Sequence, residues 1–366
     1  MPDESTPSLL KDWFDEVRYR SLAREVSSLS PQFDADRFLK MTLHGLDQRT
    51  LMQRMHQCAV AMDAALPGSY REKIGVLRAL APKVGHGFVG IFLADFVATF
   101  GGDDVGFSLE DLSFFTCFGS AEFAVRGFLI ADQAGTLQVM KNWAADENEH
   151  VRRLASEGSR PRLPWGRRVP ELLRDPTPAM AILEMLKHDE SIYVRRSVAN
   201  HLNDITKDHP DRVMELLERW NLEDESLRWI AKHACRTLIK RGHPRALSLF
   251  GFGKKAGAVA SLKLSRSKLS LGQPLELSAQ VTSTMRKPQR LVIDYVIHYV
   301  KASGGTAEKV FKWTELSLAG EAAIRLSKRQ MIRDFTTRKH HAGMHKVELQ
   351  INGQRVAETV FELRTA

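Results

Sequence analysis

Apolar residues change their spacing once along this chain of 366 residues, across the glycine-rich run Gly251-Phe252-Gly253-Lys254-Lys255-Ala256-Gly257. Before that run, from about residue 9 to 250, they recur at intervals of three and four, as amphipathic helices require. Leu10, Trp13 and Phe14 open the pattern, and Leu183 and Leu186 carry it to a break at His188-Asp189. After the run the period is two. Leu262/Leu264, Leu275/Leu277/Ala279/Val281, Val292/Asp294/Val296/His298/Val300 and Val347/Leu349/Ile351 alternate as half-buried strands do. Asn352-Gly353 reads as the hairpin turn between the last two strands. Seven or eight short strands in about 110 residues fit an immunoglobulin-like β-sandwich without an inter-sheet disulfide, since no cysteine lies there. The expected organisation is a helical domain over 1–250, a linker at 251–257 and a sandwich over 258–366.

The helical part repeats itself. Asp146-Glu147-Asn148-Glu149-His150-Val151-Arg152-Arg153 and Asp189-Glu190-Ser191-Ile192-Tyr193-Val194-Arg195-Arg196 share one opening, and Glu225-Ser226-Leu227-Arg228-Trp229 begins a third unit. Lys207-Asp208-His209-Pro210 and Arg241-Gly242-His243-Pro244 close successive helices, with His209 and His243 34 residues apart. A single helix pair cannot bury its apolar face, so such units stack. The chain is therefore expected to be mainly α, a HEAT-like α-solenoid with a concave groove, followed by the all-β sandwich.

Charge narrows the partners. The formal net charge is +9, and residues 257–366 hold 18 Lys and Arg against 9 acids, so the whole excess lies in the sandwich. Residues 151–168 add six arginines against Glu157 alone. Two basic zones suit a polyanion, although solvated surface gives the same composition. The three cysteines (Cys58, Cys117, Cys235) form no CxxC pair, which excludes a zinc knuckle and a disulfide framework. The histidines show no paired-ligand spacing, and Gly101-Gly102 lacks the GK[ST] of a phosphate loop. The apolar stretch Val84–Phe100 is interrupted by His86, Gly87, Gly90 and Asp95 and reads as a buried helix, not a membrane span. With no leader pattern at the N-terminus, a cytoplasmic monomer is expected.

On the helix expected over Val194–Lys207, Val194, Val198, Leu202 and Ile205 form the packed stripe. Arg196, Asn200, Asn203, Asp204 and Lys207 lie off it, as a groove wall or as plain solvent-exposed surface. Arg153 and Glu157 stand where Arg196 and Asn200 stand one repeat later. After Glu157 comes Gly158-Ser159-Arg160-Pro161-Arg162-Leu163-Pro164-Trp165, a proline-stiffened path from which two arginines are expected to project before a terminal tryptophan. Phosphate contacts beside one aromatic face would account for it. His340-His341 and Gly304-Gly305 read as surface loops, and Phe114, Phe115 and Phe118 as core.

The runs Trp143–Gly158, Arg160–Trp165 and Val194–Asp204 resemble the HEAT-like-repeat DNA alkylation-repair glycosylases, specifically their AlkC branch, over about residues 10–250. Some members of that branch carry an immunoglobulin-like C-terminal domain. The resemblance implies a monofunctional N-glycosylase that removes cationic alkylated bases, 3-methyladenine and 3-methylcytosine, from double-stranded DNA without flipping them. It implies active-site carboxylates at Glu122, Glu157 and Asp204, and Trp165 against the deoxyribose. It also places Arg152, Arg160 and Arg162 toward phosphate, with Arg153, Arg196 and Asn200 on the same wall.

The chemistry asks for those residue types. A cationic base needs no general acid, so the barrier is charge growing on the sugar. Carboxylates stabilise that charge and handle the attacking water, and an aromatic face adds cation–π attraction. No metal or cofactor is implied. Two carboxylates ~4 Å apart repel by roughly 4 kcal/mol at an effective dielectric near 20, so Arg153 and Arg196 are expected to offset them. The basic sandwich, with Lys328, Arg329, Arg333, Arg338 and Lys339, is expected to clamp DNA from the side opposite the groove. If ~6 phosphates are neutralised, affinity should fall on the order of 10³-fold between 50 and 200 mM salt. A non-enzymatic scaffold that holds a peptide, and a non-catalytic binder of damaged DNA, remain open alternatives.

Overall fold

The computed structural model describes residues 10–253, 255–335 and 339–365. Among them sixteen α-helices precede eight strands. The helices are α1 (Glu16–Leu29), α2 (Ala35–Leu43), α3 (Leu51–Ala65), α4 (Tyr70–Val84), α5 (Ile91–Phe100), α6 (Val105–Phe115), α7 (Val125–Ala131) and α8 (Gln133–Trp143). They continue as α9 (Glu149–Gly158), α10 (Pro170–Arg174), α11 (Thr177–Leu186), α12 (Ile192–Ile205), α13 (Pro210–Glu218), α14 (Glu225–Ala234), α15 (Arg236–Lys240) and α16 (Pro244–Leu249).

The repeated opening has a mechanical basis. Asp146, Asp189 and Asp224 each accept the N–H two residues on (Asn148, Ser191 and Ser226) at 2.8 Å. Asn148 and Ser191 then cap α9 and α12 by accepting the N–H of His150 and Tyr193. The first arginine of each Val-Arg-Arg reaches back to the turn. Arg152 donates to the Asp146 and Glu147 carbonyls at 3.0 and 2.8 Å, and Arg195 to those of Asp189 and Glu190 at 2.6 and 2.8 Å. The motif thus spends one arginine on holding the turn and leaves the second, Arg153 or Arg196, for the helix face. Val194, Val198, Leu202 and Ile205 are buried, as the stripe requires.

The stretch 84–100 is not one helix. α4 ends at Gly85 in the left-handed region (φ 73°), a short 3-10 turn covers Phe88–Gly90, and α5 follows. Gly90 and Gly119 pack backbone to backbone, where a Cβ on Gly90 would stand 2.4 Å from the Phe118 carbonyl oxygen. That close approach brings Phe88 and Ile91 beside the segment carrying Ser120 and Glu122.

The strands are β1 (Ala258–Leu264), β2 (Lys268–Ser270), β3 (Pro274–Ser283), β4 (Gln289–Val300), β5 (Thr306–Leu318), β6 (Ala323–Met331), β7 (Gly343–Ile351) and β8 (Gln354–Arg364). One sheet has the order β1-β3-β6, the other β2-β8-β7-β4-β5. Asn352 (φ 48°) and Gly353 (φ 79°) make the tight turn between β7 and β8, where both positions need positive φ. β4 departs from the half-buried pattern. Leu291, Ile293, Tyr295 and Ile297 enter the sandwich core, but Val292, Asp294, Val296 and His298 on its other face are buried too.

The chain divides into two compact units. One runs to Asp208 and includes Asn221–Ala231; the other takes His209–Trp220 and everything from Lys232 on. The second unit therefore contains α13, α15 and α16 with both sheets. Within it Gln350 donates to the Lys240 carbonyl (2.9 Å) and to Asp294 (3.2 Å), and Arg290 donates to the Phe250 carbonyl (2.8 Å). Burial pushes the Asp294 carboxyl up to about 6. His340, expected on a surface loop, is buried, because its ring and its N–H both turn onto Asp334. No helix among the described residues is long and apolar enough to cross a membrane.

Candidate active site

Four segments of the first unit bring charged residues together: the turn before α7, helix α9, the loop leaving α9 and helix α12. Glu122 sits in the turn, where its Oε2 accepts from Ser120 at 2.7 Å and pairs with Arg153 of α9. Arg153 also donates to Ser120 (2.7 Å), lies 3.5 Å from Glu157 one turn on, and sits 5.1 Å from the Tyr193 ring centroid. Glu157 is buried. Its Oε1 pairs with Arg160 and its Oε2 accepts from Ser197 of α12 at 2.6 Å. Arg160 continues to Asp204, with its Nε at 2.8 Å and an Nη at 2.7 Å from Oδ2. Lys207 holds the other Asp204 oxygen at 2.9 Å. One continuous chain results: Glu122, Arg153, Glu157, Arg160, Asp204.

Burial works against the charge on both arginines. Glu157 and Glu122 outweigh it at Arg153, and Glu157 and Asp204 at Arg160, so both guanidinium groups are held above their ordinary range. Behind them Arg126 is fully buried and donates to the Gly158 carbonyl (2.9 Å) and to the Arg167 carbonyl, pinning both ends of the loop. Burial, with Arg160 next, pulls it down to about 10.

Glu122, Arg153, Glu157 and Arg160 line a hollow of about 360 Å³, closed by Phe88, Phe123, Leu163, Pro164, Trp165 and Tyr193. Trp165 is 70% exposed at its lip, with φ at 64°. A bulky residue in the left-handed region is held there against a local cost, a feature common at functional sites. The carboxylates differ in what they offer. Both oxygens of Glu157 and of Asp204 have partners, whereas Glu122 Oε1 has none among the described residues. Asp204 stands behind Arg160, outside the lining.

Four arginines sit differently from expectation. Arg160 does not project from the loop: it is buried, because two carboxylates compensate it from either side. Arg152 pairs with Asp189 at 2.6 Å and with its own turn carbonyls, so its guanidinium is spent between two neighbouring repeats. Arg162 forms a two-pronged pair with Asp208, both contacts at 2.7 Å. Arg196 does not offset the carboxylates: it is exposed on α12, with Asn200 half-buried one turn on, both outside the lining of the hollow, and the pairing falls to Arg160 instead.

In the second unit Lys328 and Arg329 of β6 border a groove with Lys263, Glu276, Ser278 and Ser327. Lys339 is exposed, Arg333 lies over the Phe335 ring, and Arg338 falls outside the described residues. The pattern alone missed Ser197, Ser120 and Tyr193. Ser197 carried a signal: one repeat earlier its place is held by the buried Leu154, so a hydroxyl replaces an apolar side chain on the packed side.

Residues 113–238 match the model of the DNA alkylation repair enzyme family, and residues 258–365 that of the C-terminal Ig-like domain of the uncharacterised protein YhaZ. The chain belongs to the DNA alkylation-repair family, in the AlkC branch that joins helical repeats to an Ig-like domain. It is 40% identical over 348 residues to the uncharacterised protein YhaZ of Bacillus subtilis (strain 168), covering 94% of this chain and 96% of that one. It is 48% identical to the Pseudomonas fluorescens alkylpurine DNA glycosylase AlkC, whose structure was solved bound to DNA containing an abasic-site analogue. That match has a TM-score of 0.93 and covers 98% of this chain and 100% of the other.

Proposed function

We propose that this chain is a monofunctional DNA glycosylase that hydrolyses the N-glycosidic bond of cationic alkylated bases, 3-methyladenine and 3-methylcytosine, without flipping them. The observation that carries this reading is Glu122 Oε1, without a partner among the described residues, in a hollow shared with Glu157 and rimmed by Trp165. As the C1′–N bond breaks, its electron pair leaves with the base and cancels the positive charge there, while the sugar becomes oxocarbenium-like. The carboxylates favour that charge, and Trp165 offers its face to the deoxyribose. Water adds its oxygen to C1′ and gives its proton to Glu122. One carboxylate ~4 Å from the sugar contributes on the order of 4 kcal/mol at an effective dielectric near 20, or about 10³-fold in rate.

Asp204 acts through Arg160, which it holds against Glu157. A neutral base gains nothing from the open Glu122 oxygen, which gives selectivity for cationic ones. The basic face of the sandwich adds phosphate contacts. Incubation of methylated duplex DNA with the protein, followed by chromatography of the released bases, tests the assignment. Free 3-methyladenine or 3-methylcytosine is expected. Binding without release would make it a damage binder, and neither would leave the scaffold.

A further inference from the structure

We propose that the pocket at the start of α1 is a second DNA subsite, which takes the phosphodiester backbone of nucleotides flanking the lesion. The proposal rests on the reading of this chain as a DNA-binding enzyme. The pocket measures about 590 Å³, larger than the hollow at Glu122, and Trp13, Arg18, Ser21, Arg24, His86 and Phe88 are among its lining. Phe88 also lines the hollow, so the two cavities share a wall. A row of flat rings joins them: His86 lies 4.5 Å from His150, and His150 5.7 Å from Tyr193 at the hollow's edge.

Charge pairing selects an anion. Acids surround this end of α1, yet each is engaged. Glu16 pairs with Arg20 at 2.6 Å and Glu25 with Lys83 at 2.8 Å. Asp12 and Asp15 line the pocket as well, but Asp15 caps the helix by accepting the Arg18 N–H at 2.7 Å and Asp12 has a partner, so the two arginines are the cations left open to an incoming phosphate. The guanidinium groups of Arg18 and Arg24 have neither an ion pair nor a hydrogen bond among the described residues, and both side chains are exposed. Six residues of helix set them about 9 Å apart along the axis and about 120° apart around it, so the two long stems border the pocket from different sides and can reach two neighbouring phosphates. Trp13 is 42% exposed, with its ring edge-on to Phe88 at 6.1 Å, and offers a face to a base or sugar beside that phosphate.

The test uses the full chain and a duplex carrying a tetrahydrofuran abasic-site analogue, with affinity measured by fluorescence anisotropy from 50 to 300 mM salt. The Arg18→Ala/Arg24→Ala variant should bind about ten-fold more weakly at low salt. Its log–log salt slope should be smaller by about one for each phosphate that the two arginines neutralise. Arg20→Ala, on the same helix but paired with Glu16, should leave the slope unchanged. Excision by Arg20→Ala at saturating protein should match that of the parent. An unchanged slope in the double variant overturns the proposal, and so does an equal change in Arg20→Ala. Melting temperatures within 2 °C of the parent confirm that these exposed changes leave the fold intact. Because the readout needs no bond cleavage, failure to release base would count against the glycosylase reading alone.

Discussion

Replacing Arg160 by Met keeps most of the side chain's bulk and removes the one charge that bridges Glu157 and Asp204. Breaking a buried ion pair from one side typically costs about 3–5 kcal/mol, because the partner is left buried and uncompensated. Here each stranded carboxylate keeps something. Glu157 retains Ser197 at 2.6 Å and Arg153 at 3.5 Å, and Asp204 retains Lys207 at 2.9 Å. The lower end, about 3 kcal/mol, is therefore expected. For a cooperative unit of about 200 residues that corresponds to a melting temperature lower by about 6–12 °C. Melting followed by circular dichroism at pH 8 reads it. Arg160→Met/Asp204→Asn should recover part of the loss, since the second change removes one stranded charge. A loss under about 1 kcal/mol, or a double variant no better than the sum of the two single changes, would refute the claim that Arg160 compensates both acids.

Trp165→Gly should raise stability by about 0.5–1 kcal/mol by relieving the left-handed backbone, while slowing excision; a lower melting temperature would show that the backbone is not strained there. His201 is fully buried on α12, with Nδ1 2.9 Å from the Ser156 carbonyl, and burial pulls it from 6.5 to about 3. Its folded form therefore binds fewer protons than the unfolded chain between those values, and stability should fall by about 1.4 kcal/mol per unit as pH drops below 6.5. His201→Asn should remove that slope, as measured by denaturant melts from pH 7 to 4.5, and an unchanged slope would assign it elsewhere. Lys328→Ala/Arg329→Ala should lower the salt slope of DNA binding by about two; the same slope as the parent would take this face of the sandwich out of the DNA contact.

Where sequence periodicity reports packing directly, it was readable. The change from three-and-four to two at Gly251–Gly257 separates α16, ending at Leu249, from β1, starting at Ala258. Asn352-Gly353 named its hairpin because few residues tolerate positive φ at both positions. The residues of the ion chain were legible by type and by resemblance, but their pairing was not. Arg160 and Arg162 look alike in sequence, two residues apart on a proline-rich loop. One ends buried between Glu157 and Asp204 and the other half-exposed on Asp208. The difference is set by α12, more than thirty residues downstream, which no local pattern encodes. β4 shows the same limit, since alternation cannot say that its second face is buried as well.

Single-turnover excision of 3-methyladenine by Glu157→Gln, beside the parent protein, tests the electrostatic account most directly. The change keeps a hydrogen-bond acceptor for Ser197 and removes one negative charge from the hollow. A rate lower by about 10²–10³-fold, with affinity for abasic-site DNA retained, is predicted. A rate within a factor of two of the parent would contradict it.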